Sequence, residues 1–311
     1  MTAADNIQFG VSIDPSAANW QESQARARLA DKAGFDMLTV MDHPYNNRLF
    51  DTWTLLTALG GITERIHLVP NVLSLPLRPP AVLAKSAATL DVVTGGRFEM
   101  ALGAGSYWDG ISAFGGERRS PGEAYGAFKD ALHISRGFWD NAGGSFSYEG
   151  EIYQVKGIRP GPAPAHRIPI WGGARGPRML RLLGRMADGL FTSYSYNQPQ
   201  RLTEINQLMD EGAEQAERET NEIRRGYNLM GILDVGTEST SRANANEDML
   251  SGDAKAWSSR IIEWAQKYRM DTFVFWPAGE DAHLQVETFA QEVIPAVRGA
   301  LTETPTLKEA V

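Results

Sequence analysis

The chain has 311 residues, of which 42% are hydrophobic and 22% charged, a composition typical of a globular enzyme. It has no cysteine, which excludes disulfides, thiolate metal sites and a catalytic thiol. The net charge of −8 argues against a general role in binding nucleic acid or a membrane surface. Because the start lacks a signal-peptide pattern and no stretch approaches about 18 apolar residues, we expect a cytoplasmic protein.

Short apolar runs alternate with amphipathic stretches along most of the chain. The apolar runs predict eight strands, over residues 7–13, 35–41, 67–73, 98–105, 168–173, 189–195, 224–235 and 271–277. Each is followed by a helix-length segment, and several are apolar on both faces, as in a parallel sheet covered by helices. A doubly wound sheet shares this alternation, but a count of eight favours an α/β fold of the (β/α)8 TIM-barrel type.

Two insertions and a tail interrupt this series. Residues 145–155 alternate with period two around a Glu-Gly pair, which predicts an inserted antiparallel hairpin. The polar segment 236–253 predicts a mobile loop after the seventh strand. Residues 302–311 predict a frayed tail. We therefore expect one barrel domain over residues 1–311, with its core over about 7–301.

The chemistry of barrel enzymes lies where the strands end and the helices begin. Residues at the predicted strand ends are Asp42, His43, Asn71, Val72, Gly103, Ala104, Gly105, Ser106, Gly172, Gly173, Ser193, Tyr194, Asn228 and Trp276. The helix-to-strand turns, including residues 91–97, fall on the opposite face of the barrel, which serves stability. We therefore do not expect these turns to be catalytic.

The run from Trp171 to Arg178 joins the fifth strand to its helix. Its glycines expose backbone N–H groups, the helix start adds a positive end, and Arg175 and Arg178 add full charges. Such a combination suits an anion, although a tight turn with two solvated arginines has the same pattern. The small residues Gly103 and Gly105 would let a flat ring lie against backbone, and a bare tight turn is again the alternative.

Three segments resemble a known family. Residues 90–105 (LDVVTGGRFEMALGAG), residues 168–190 (IPIWGGARGPRMLRLLGRMADGL) and the strand ending Met-Asp-His at 41–43 are similar to the luciferase-like monooxygenase superfamily. This group includes bacterial luciferase, flavin-dependent alkane and sulfonate monooxygenases, and oxidoreductases that use the deazaflavin coenzyme F420. The resemblance runs in the same order from about residue 9 to residue 276. It implies a flavin or deazaflavin at the mouth of the barrel.

The resemblance also implies roles for individual residues. It places the cofactor's phosphate and ring on a group of residues at the strand ends, namely Asp42, Asn71, Val72, Gly103, Ala104, Gly105, Ser106, Gly172, Gly173, Ala174, Arg175 and Arg178. It further implies a cis peptide between Asn71 and Val72 that backs the ring. In similar F420-dependent sugar-phosphate dehydrogenases, the residue matching His43 is catalytic and the one matching Asp42 contacts the cofactor. Those relatives carry a glutamate acid where this chain has Ser106, which weakens the transfer of their mechanism.

Two cofactors fit this pattern. FMN carries one phosphate, whereas the anionic tail of F420 would favour basic loops, and the candidate arginines are Arg78, Arg118, Arg119, Arg159, Arg167, Arg175 and Arg178. The implied cis bulge and the Asp42-His43 pair favour F420, and therefore hydride transfer to or from a small organic substrate. The alternatives are an FMN-dependent, two-component monooxygenase with a partner reductase, and a flavin-binding protein without turnover.

Aromatic residues near the predicted mouth could wall an apolar substrate pocket, and the candidates are Tyr45, Tyr107, Trp108, Tyr194 and Trp276. No spacing of histidines and carboxylates predicts a metal site. The family resemblance also implies a homodimer formed through the second and third helices. The apolar residues available on those helices are Trp53, Leu56, Leu59, Val82, Ala87 and Leu90, although the same side chains can face the barrel.

Overall fold

A computed structural model describes residues 7–236 and 249–302. Within them the strands are β1 (Gln8–Ser12), β2 (Met37–Val40), β3 (His67–Pro70), β4 (Leu73–Ser74), β5 (Met100–Gly103), β6 (Phe146–Glu149), β7 (Gln154–Ile158), β8 (Ile170–Gly173), β9 (Gly189–Ser193), β10 (Arg224–Leu233), β11 (Leu250–Gly252) and β12 (Thr272–Pro277). The helices are α1 (Trp20–Ala33), α2 (Thr52–Gly60), α3 (Pro80–Val93), α4 (Trp108–Ala113), α5 (Pro121–Asp140), α6 (Pro177–Met186), α7 (Leu202–Glu214), α8 (Ala254–Tyr268), α9 (Ala282–Thr288) and α10 (Ile294–Thr302).

The main sheet curls into a TIM barrel. Its strands are parallel and follow the order β3-β2-β1-β12-β10-β9-β8-β5-β4, with β11 beside β10. The seam between β3 and β5 is held by a single bridge, in which Leu68 N donates to Arg97 O at 2.8 Å and Glu99 N donates to Leu68 O at 3.1 Å. The predicted eight-stranded barrel is confirmed, with one weakly paired seam.

The strands are apolar on both faces because each face packs against something. Outward residues such as Phe9 and Leu38 pack under the helices, whereas Met37, Val69 and Phe191 fill the barrel interior. The Trp171 ring stacks on the Phe191 ring at a centroid distance of 4.3 Å. The interior is therefore filled by side chains below the mouth, and a ligand can be held only above them.

Local signals place the helices close to their predicted positions. Asp51 caps α2 by accepting a hydrogen bond from Thr54 N at 2.9 Å. Ser120 and Glu123 form a capping box at the start of α5. The short helix α4 was not expected, because the glycine-rich segment after β5 predicts a loop. A Cβ at Gly110 would lie 2.5 Å from the Tyr107 ring, so glycine lets aromatic rings pack against this helix.

The predicted hairpin is present as β6 and β7. Its second strand continues to Ile158 instead of ending at residue 155, and the register shifts between Phe146 and Tyr148. Asp130 on α5 fixes its turn by accepting hydrogen bonds from Ile152 N at 2.7 Å and Tyr153 N at 3.0 Å. Part of the predicted loop over 236–253 is the strand β11, while residues 237–248 and the tail residues 303–311 lie outside the described residues.

The turn at 91–97 lies at the bottom of the barrel, as predicted. The Arg97 guanidinium donates to the carbonyl oxygens of Gly60, Thr63 and Ile66 at 2.8 to 3.0 Å. The buried Asp91 carboxylate accepts hydrogen bonds from the backbone of residues 165 and 166 at 2.7 and 3.1 Å. These contacts tie neighbouring elements together and leave the signature segment a structural role.

The second and third barrel helices turn most of their apolar side chains inward. Leu56, Leu59, Ala87 and Leu90 are buried in the core, whereas Val82 is 63% exposed. The homodimer therefore stays a prediction, because most of the residues offered for its interface face the barrel. Over the described residues, no helix combines the length and the apolar character needed to cross a membrane.

Candidate active site

A cavity of about 730 Å³ opens at the carboxyl ends of the barrel strands. This volume lies within the range of small-molecule and cofactor sites. Its lining is formed by Met41, Asp42, His43, Tyr45, Asn71, Val72, Leu73, Ser74, Gly103, Ala104, Gly105, Ser106, Ile111, Gly173, Ala174, Arg175, Met179, Phe191, Thr192, Ser193, Ser195, Tyr196, Asn197, Asn228, Met230 and Trp276. Most residues singled out from the sequence are therefore gathered in one place.

Five of the proposed site residues lie outside this lining. A Cβ at Gly172 would lie 2.3 Å from the Leu183 side chain, so this glycine lets α6 pack closely against β8. The Arg178 guanidinium lies 4.4 Å from the centre of the Tyr125 ring. Gly172 thus serves close packing between strand and helix, and Arg178 is engaged by an aromatic ring.

The other three are aromatic. The Tyr107 ring lies edge-on to Tyr45, with 5.1 Å between their centres, and the tip of Trp108 is 3.0 Å from an ideal Cβ on Gly105. Tyr194 packs beside Tyr227 and Trp264, with ring centres 6.2 and 5.9 Å apart. Tyr107 and Trp108 therefore support the wall from behind, whereas Tyr194 belongs to the outer packing.

Asp42 is the buried acid of the site. One carboxylate oxygen accepts the backbone N–H of Ser74 at 2.9 Å, and the other lies 3.1 Å from Arg78 Nη2. Arg78 also reaches Asp51 at 2.8 Å. Burial by itself would lower the pKa of Arg78, but the two carboxylates raise it above its ordinary value. The Asp42 charge is thus matched inside the protein and ties β2 to β4.

His43 lies at the rim beside Asp42, and its Nδ1 is 2.9 Å from the Tyr45 hydroxyl. Among the described residues, its Nε2 forms no hydrogen bond. Desolvation by the cavity walls lowers the pKa of His43, and the nearby Asp42 carboxylate opposes this shift. The pKa of Tyr45 is raised, first by desolvation and then by Asp42 and Tyr107. The imidazole is therefore mainly neutral near pH 7, with one nitrogen held and the other available.

The peptide bond between Asn71 and Val72 is cis, as predicted. It lies between β3 and β4 and brings the Val72 side chain toward two glycines. A Cβ at Gly103 would lie 2.8 Å from Val72 Cγ2, and one at Gly173 would lie 3.0 Å from the same atom. The space left by these glycines is thus taken by Val72, which becomes the wall of the cavity. From the sequence, the space beside Gly103 was instead predicted to hold the flat ring of the cofactor.

The segment after β8 offers backbone groups to an anion. Ala174 and Arg175 line the cavity, and α6 begins at Pro177 without a side-chain cap on Gly176. The Arg175 guanidinium lies 4.0 Å from the centre of the Tyr196 ring at the rim. Uncapped backbone N–H groups and an arginine fit a phosphate group at this edge.

The seven arginines proposed for a basic rim are mostly used elsewhere. Arg78 pairs with Asp42 and Asp51, Arg118 with Asp109, and Arg167 with Asp188, while Arg119 donates to the Tyr153 hydroxyl at 3.0 Å. Arg178 covers Tyr125, and Arg159 is exposed outside the lining. Of the seven, Arg175 lines the cavity.

A polar group in the cavity was only partly expected from the sequence, because the family resemblance assigned Asn71 to the cofactor but gave Ser193 and Asn228 no role. Asn71 Nδ2 donates to Asn228 Oδ1 at 2.7 Å, and Asn228 Nδ2 donates to Ser193 Oγ at 3.1 Å. Asn71 follows β3, while Asn228 lies in β10 and Ser193 ends β9, so their contact depends on barrel closure. The available signal was a polar residue inside an apolar strand, namely Asn228 within residues 224–233.

The chain belongs to the luciferase-like monooxygenase family, whose sequence model matches residues 4–288. It is similar to an F420-dependent glucose-6-phosphate dehydrogenase from Microbacterium testaceum, at 33% identity over 70% of this chain and 66% of the relative. It is also similar to the 5,10-methylenetetrahydromethanopterin reductase of Archaeoglobus fulgidus, at 31% identity over 61% of this chain and 54% of the relative. The chain thus spans less than two thirds of the length of either relative.

Solved structures show the same fold. An F420-dependent secondary alcohol dehydrogenase in complex with an F420-acetone adduct superposes with a TM-score of 0.82, at 20% identity, over 94% of this chain and 99% of that chain. A monooxygenase from Streptomyces bottropensis superposes with a TM-score of 0.80, also at 20% identity, over 93% of this chain and 99% of that chain. Membership of this family supports an enzyme, and the solved structures show the shared fold.

Proposed function

We propose that the protein transfers a hydride between coenzyme F420 and a small organic substrate in the mouth cavity. The observation that carries this proposal is the meeting of three features in one cavity. These are the Asp42-His43 pair, the Val72 wall after the cis peptide, and the backbone and arginine at 173–175. The similarity to a relative named for F420 dependence adds support.

The residues present fit such a cofactor. Gly173, Ala174 and Arg175 would hold its phosphate end, and Val72 would support one face of its ring. When bound, the deazaflavin supplies a carbon that accepts or donates hydride. The protein's own contribution is to hold the two reactants together and to keep water away from them.

His43 is the proposed proton-transfer residue. Its Nε2 would accept a proton from an alcohol being oxidised, or donate one to a carbonyl being reduced. The Tyr45 hydroxyl can donate to or accept from Nδ1, so it can support either neutral tautomer of the imidazole. The lowered pKa of His43 favours these neutral forms. The neutral imidazole is the base that alcohol oxidation needs, whereas reduction needs the imidazolium, which gives up its Nε2 proton and returns to the neutral form.

Asp42 is proposed as a positioning residue as well as a cofactor contact. Its bond to Ser74 N fixes the segment that follows the cis peptide, and its pairing with Arg78 keeps the carboxylate in place. The remaining wall is largely apolar, with Met41, Ile111 and Trp276 beside the polar groups. This lining favours a substrate with an apolar body and one oxygen function.

The proposal is tested by titrating the purified protein separately with F420 and FMN and following absorbance and fluorescence. We expect F420 binding, and hydride exchange with a panel of alcohols, ketones and unsaturated carbonyl compounds. FMN binding without F420 binding would instead support a two-component monooxygenase that needs a reductase. F420 binding without turnover of any substrate would support a binding protein.

A further inference from the structure

Three side chains that the proposed mechanism does not use form a chain across the deep wall of the cavity. Asn71 and Asn228 are 9% and 7% exposed, and both line the cavity together with Ser193. Asn71 directly follows β3, which is separated in the sheet order from β9 with Ser193 and β10 with Asn228. The contact therefore links opposite sides of the barrel.

Asn71 and Asn228 are joined by hydrogen bonds in both directions, and Asn228 also donates to Ser193. Asn71 Nδ2 donates to Asn228 Oδ1 at 2.7 Å, and Asn228 Nδ2 donates to Ser193 Oγ at 3.1 Å, with a longer 3.4 Å contact to Asn71 Oδ1. Because Ser193 Oγ accepts from the amide, its hydroxyl hydrogen has to point elsewhere. Ser193 lines the cavity, and among the described residues its hydroxyl donates no hydrogen bond.

The backbone around Ser193 holds this arrangement in place. The Ser193 carbonyl accepts hydrogen bonds from Tyr196 N at 3.1 Å and Asn197 N at 2.9 Å. The next residue, Tyr194, donates its N–H to Asn228 O at 3.0 Å. Main chain and side chain thus fix Ser193 relative to Asn228, as a preorganised donor requires.

We propose that Ser193 donates its hydroxyl hydrogen to a carbonyl oxygen of a bound ligand, and that Asn228 is a positioning residue that makes Ser193 a donor. This inference rests on the proposed function, because it concerns the same cavity. A carbonyl oxygen is present both on a deazaflavin or flavin ring and on a ketone substrate. The two sources are separated by measuring cofactor affinity and substrate KM independently.

The test compares Ser193→Ala, Ser193→Thr and Asn228→Asp at pH 8. An aspartate at 228 can still accept from Asn71, but its ionised carboxylate cannot donate and would capture the Ser193 hydrogen. Ser193→Ala and Asn228→Asp should therefore weaken the same constant by roughly 5- to 10-fold, as expected for one lost hydrogen bond. Ser193→Thr should retain most of the wild-type value.

The double variant Ser193→Ala/Asn228→Asp gives the sharpest result. Because both changes remove one interaction, its loss should not exceed that of either single variant by more than about twofold. Ser135→Ala is the matched control, because this hydroxyl is buried on α5 outside the cavity lining and without a hydrogen-bond partner among the described residues. Thermal unfolding of every variant separates local effects from loss of folding.

A rise in cofactor Kd would assign the carbonyl to the cofactor ring, and a rise in substrate KM alone would assign it to the substrate. Unchanged values in both Ser193→Ala and Asn228→Asp would overturn the inference while leaving the proposed function standing. If Asn228→Asp does not fold, the comparison of Ser193→Ala with Ser193→Thr decides alone. Failure of the wild type to bind F420 or FMN would overturn both proposals.

Discussion

At the scale of single residues, the site is defined by which atoms are already engaged. Asp42 accepts from Ser74 N and pairs with Arg78, whereas His43 has one nitrogen held by Tyr45 and the other available. An acid held by partners inside the protein is suited to positioning. An imidazole with a single partner is suited to moving a proton.

Replacing His43 by alanine should lower kcat about 10²- to 10⁴-fold, the usual contribution of a proton-transfer residue. Cofactor affinity should change less than kcat, because the proposed contacts to the cofactor's phosphate and ring face are made by Gly173, Ala174, Arg175 and Val72. Steady-state kinetics together with a fluorescence titration would measure both quantities. A kcat within threefold of wild type would remove His43 from the mechanism.

Tyr45→Phe should lower kcat by about 5- to 10-fold, because one hydrogen bond of about 1 kcal/mol to Nδ1 is lost while the aromatic packing on Tyr107 is kept. Tyr107→Phe is the control, since its ring supports Tyr45 from outside the lining. Equal effects of the two changes would contradict a specific role for the hydrogen bond between Tyr45 and His43.

The dependence on pH follows from the direction of the His43 shift. Because its pKa is lowered, the neutral imidazole persists below the ordinary value of 6.5. Oxidation of an alcohol, which needs the neutral base, should lose rate only as the pH falls through this lowered pKa. A pH profile of kcat/KM for oxidation should therefore have its acidic limb below 6.5, and a limb above 6.5 would contradict the assignment.

At the scale of elements, the cavity wall formed by Val72 depends on the ends of β5 and β8, which leave space for this side chain. Val72 enters the space that side chains on Gly103 and Gly173 would occupy. The ends of β5 and β8 are therefore matched in shape to the segment between β3 and β4. A change at either glycine acts on the cavity through Val72.

Gly103→Ala should push Val72 into the cavity, because the new Cβ would lie 2.8 Å from its Cγ2. We expect cofactor affinity to fall at least tenfold and the free energy of unfolding to fall by about 1–3 kcal/mol, as for other overpacked sites. Gly299→Ala on α10 is the control, since nothing lies within 4 Å of its added Cβ. Unchanged affinity in Gly103→Ala would show that Val72 does not support the ligand.

At the scale of the whole molecule, the two ends of the barrel have different tasks. The bottom carries close histidine–carboxylate contacts, namely His67 Nδ1 with Glu99 Oε1 at 2.8 Å and His166 Nδ1 with Asp91 Oδ1 at 2.8 Å. Glu99 also accepts from Trp171 Nε1 at 2.6 Å inside the barrel. These contacts close the lower end and leave the upper end for chemistry.

His67 should make stability depend on pH. Its pKa is raised, mainly by the hydrogen bond to Glu99 and against the effect of burial. A raised pKa contributes stability that is complete below the unfolded value near 6.5 and is lost as the pH rises through the folded value. The difference in Tm between wild type and His67→Gln should therefore be largest near pH 5.5 and shrink above neutrality. A difference that grows with pH would contradict this, and His283→Gln on exposed α9 is the control.

Much of the fold was accessible from the sequence, because apolar runs and capping residues are local signals. The eight strands and the Asp51 cap followed from such signals, and the cis peptide followed from the family resemblance. The helix α4 did not, because its Gly110 is selected by the packing of aromatic rings from elsewhere. Tertiary contacts likewise direct Arg178 to Tyr125 and Asn228 to Ser193, and no local pattern encodes them.

The stack of Trp171 on Phe191 closes the barrel below the cavity, and the cavity opens at the top of the barrel. Two ligands that share such a cavity have to bind in sequence, and the deeper ligand cannot dissociate until the shallower one has left. We therefore expect compulsory-order kinetics, with dead-end analogues of the later molecule trapping the earlier one. The aromatic stack that closes the lower end of the cavity would then determine the order in which the two molecules bind and leave.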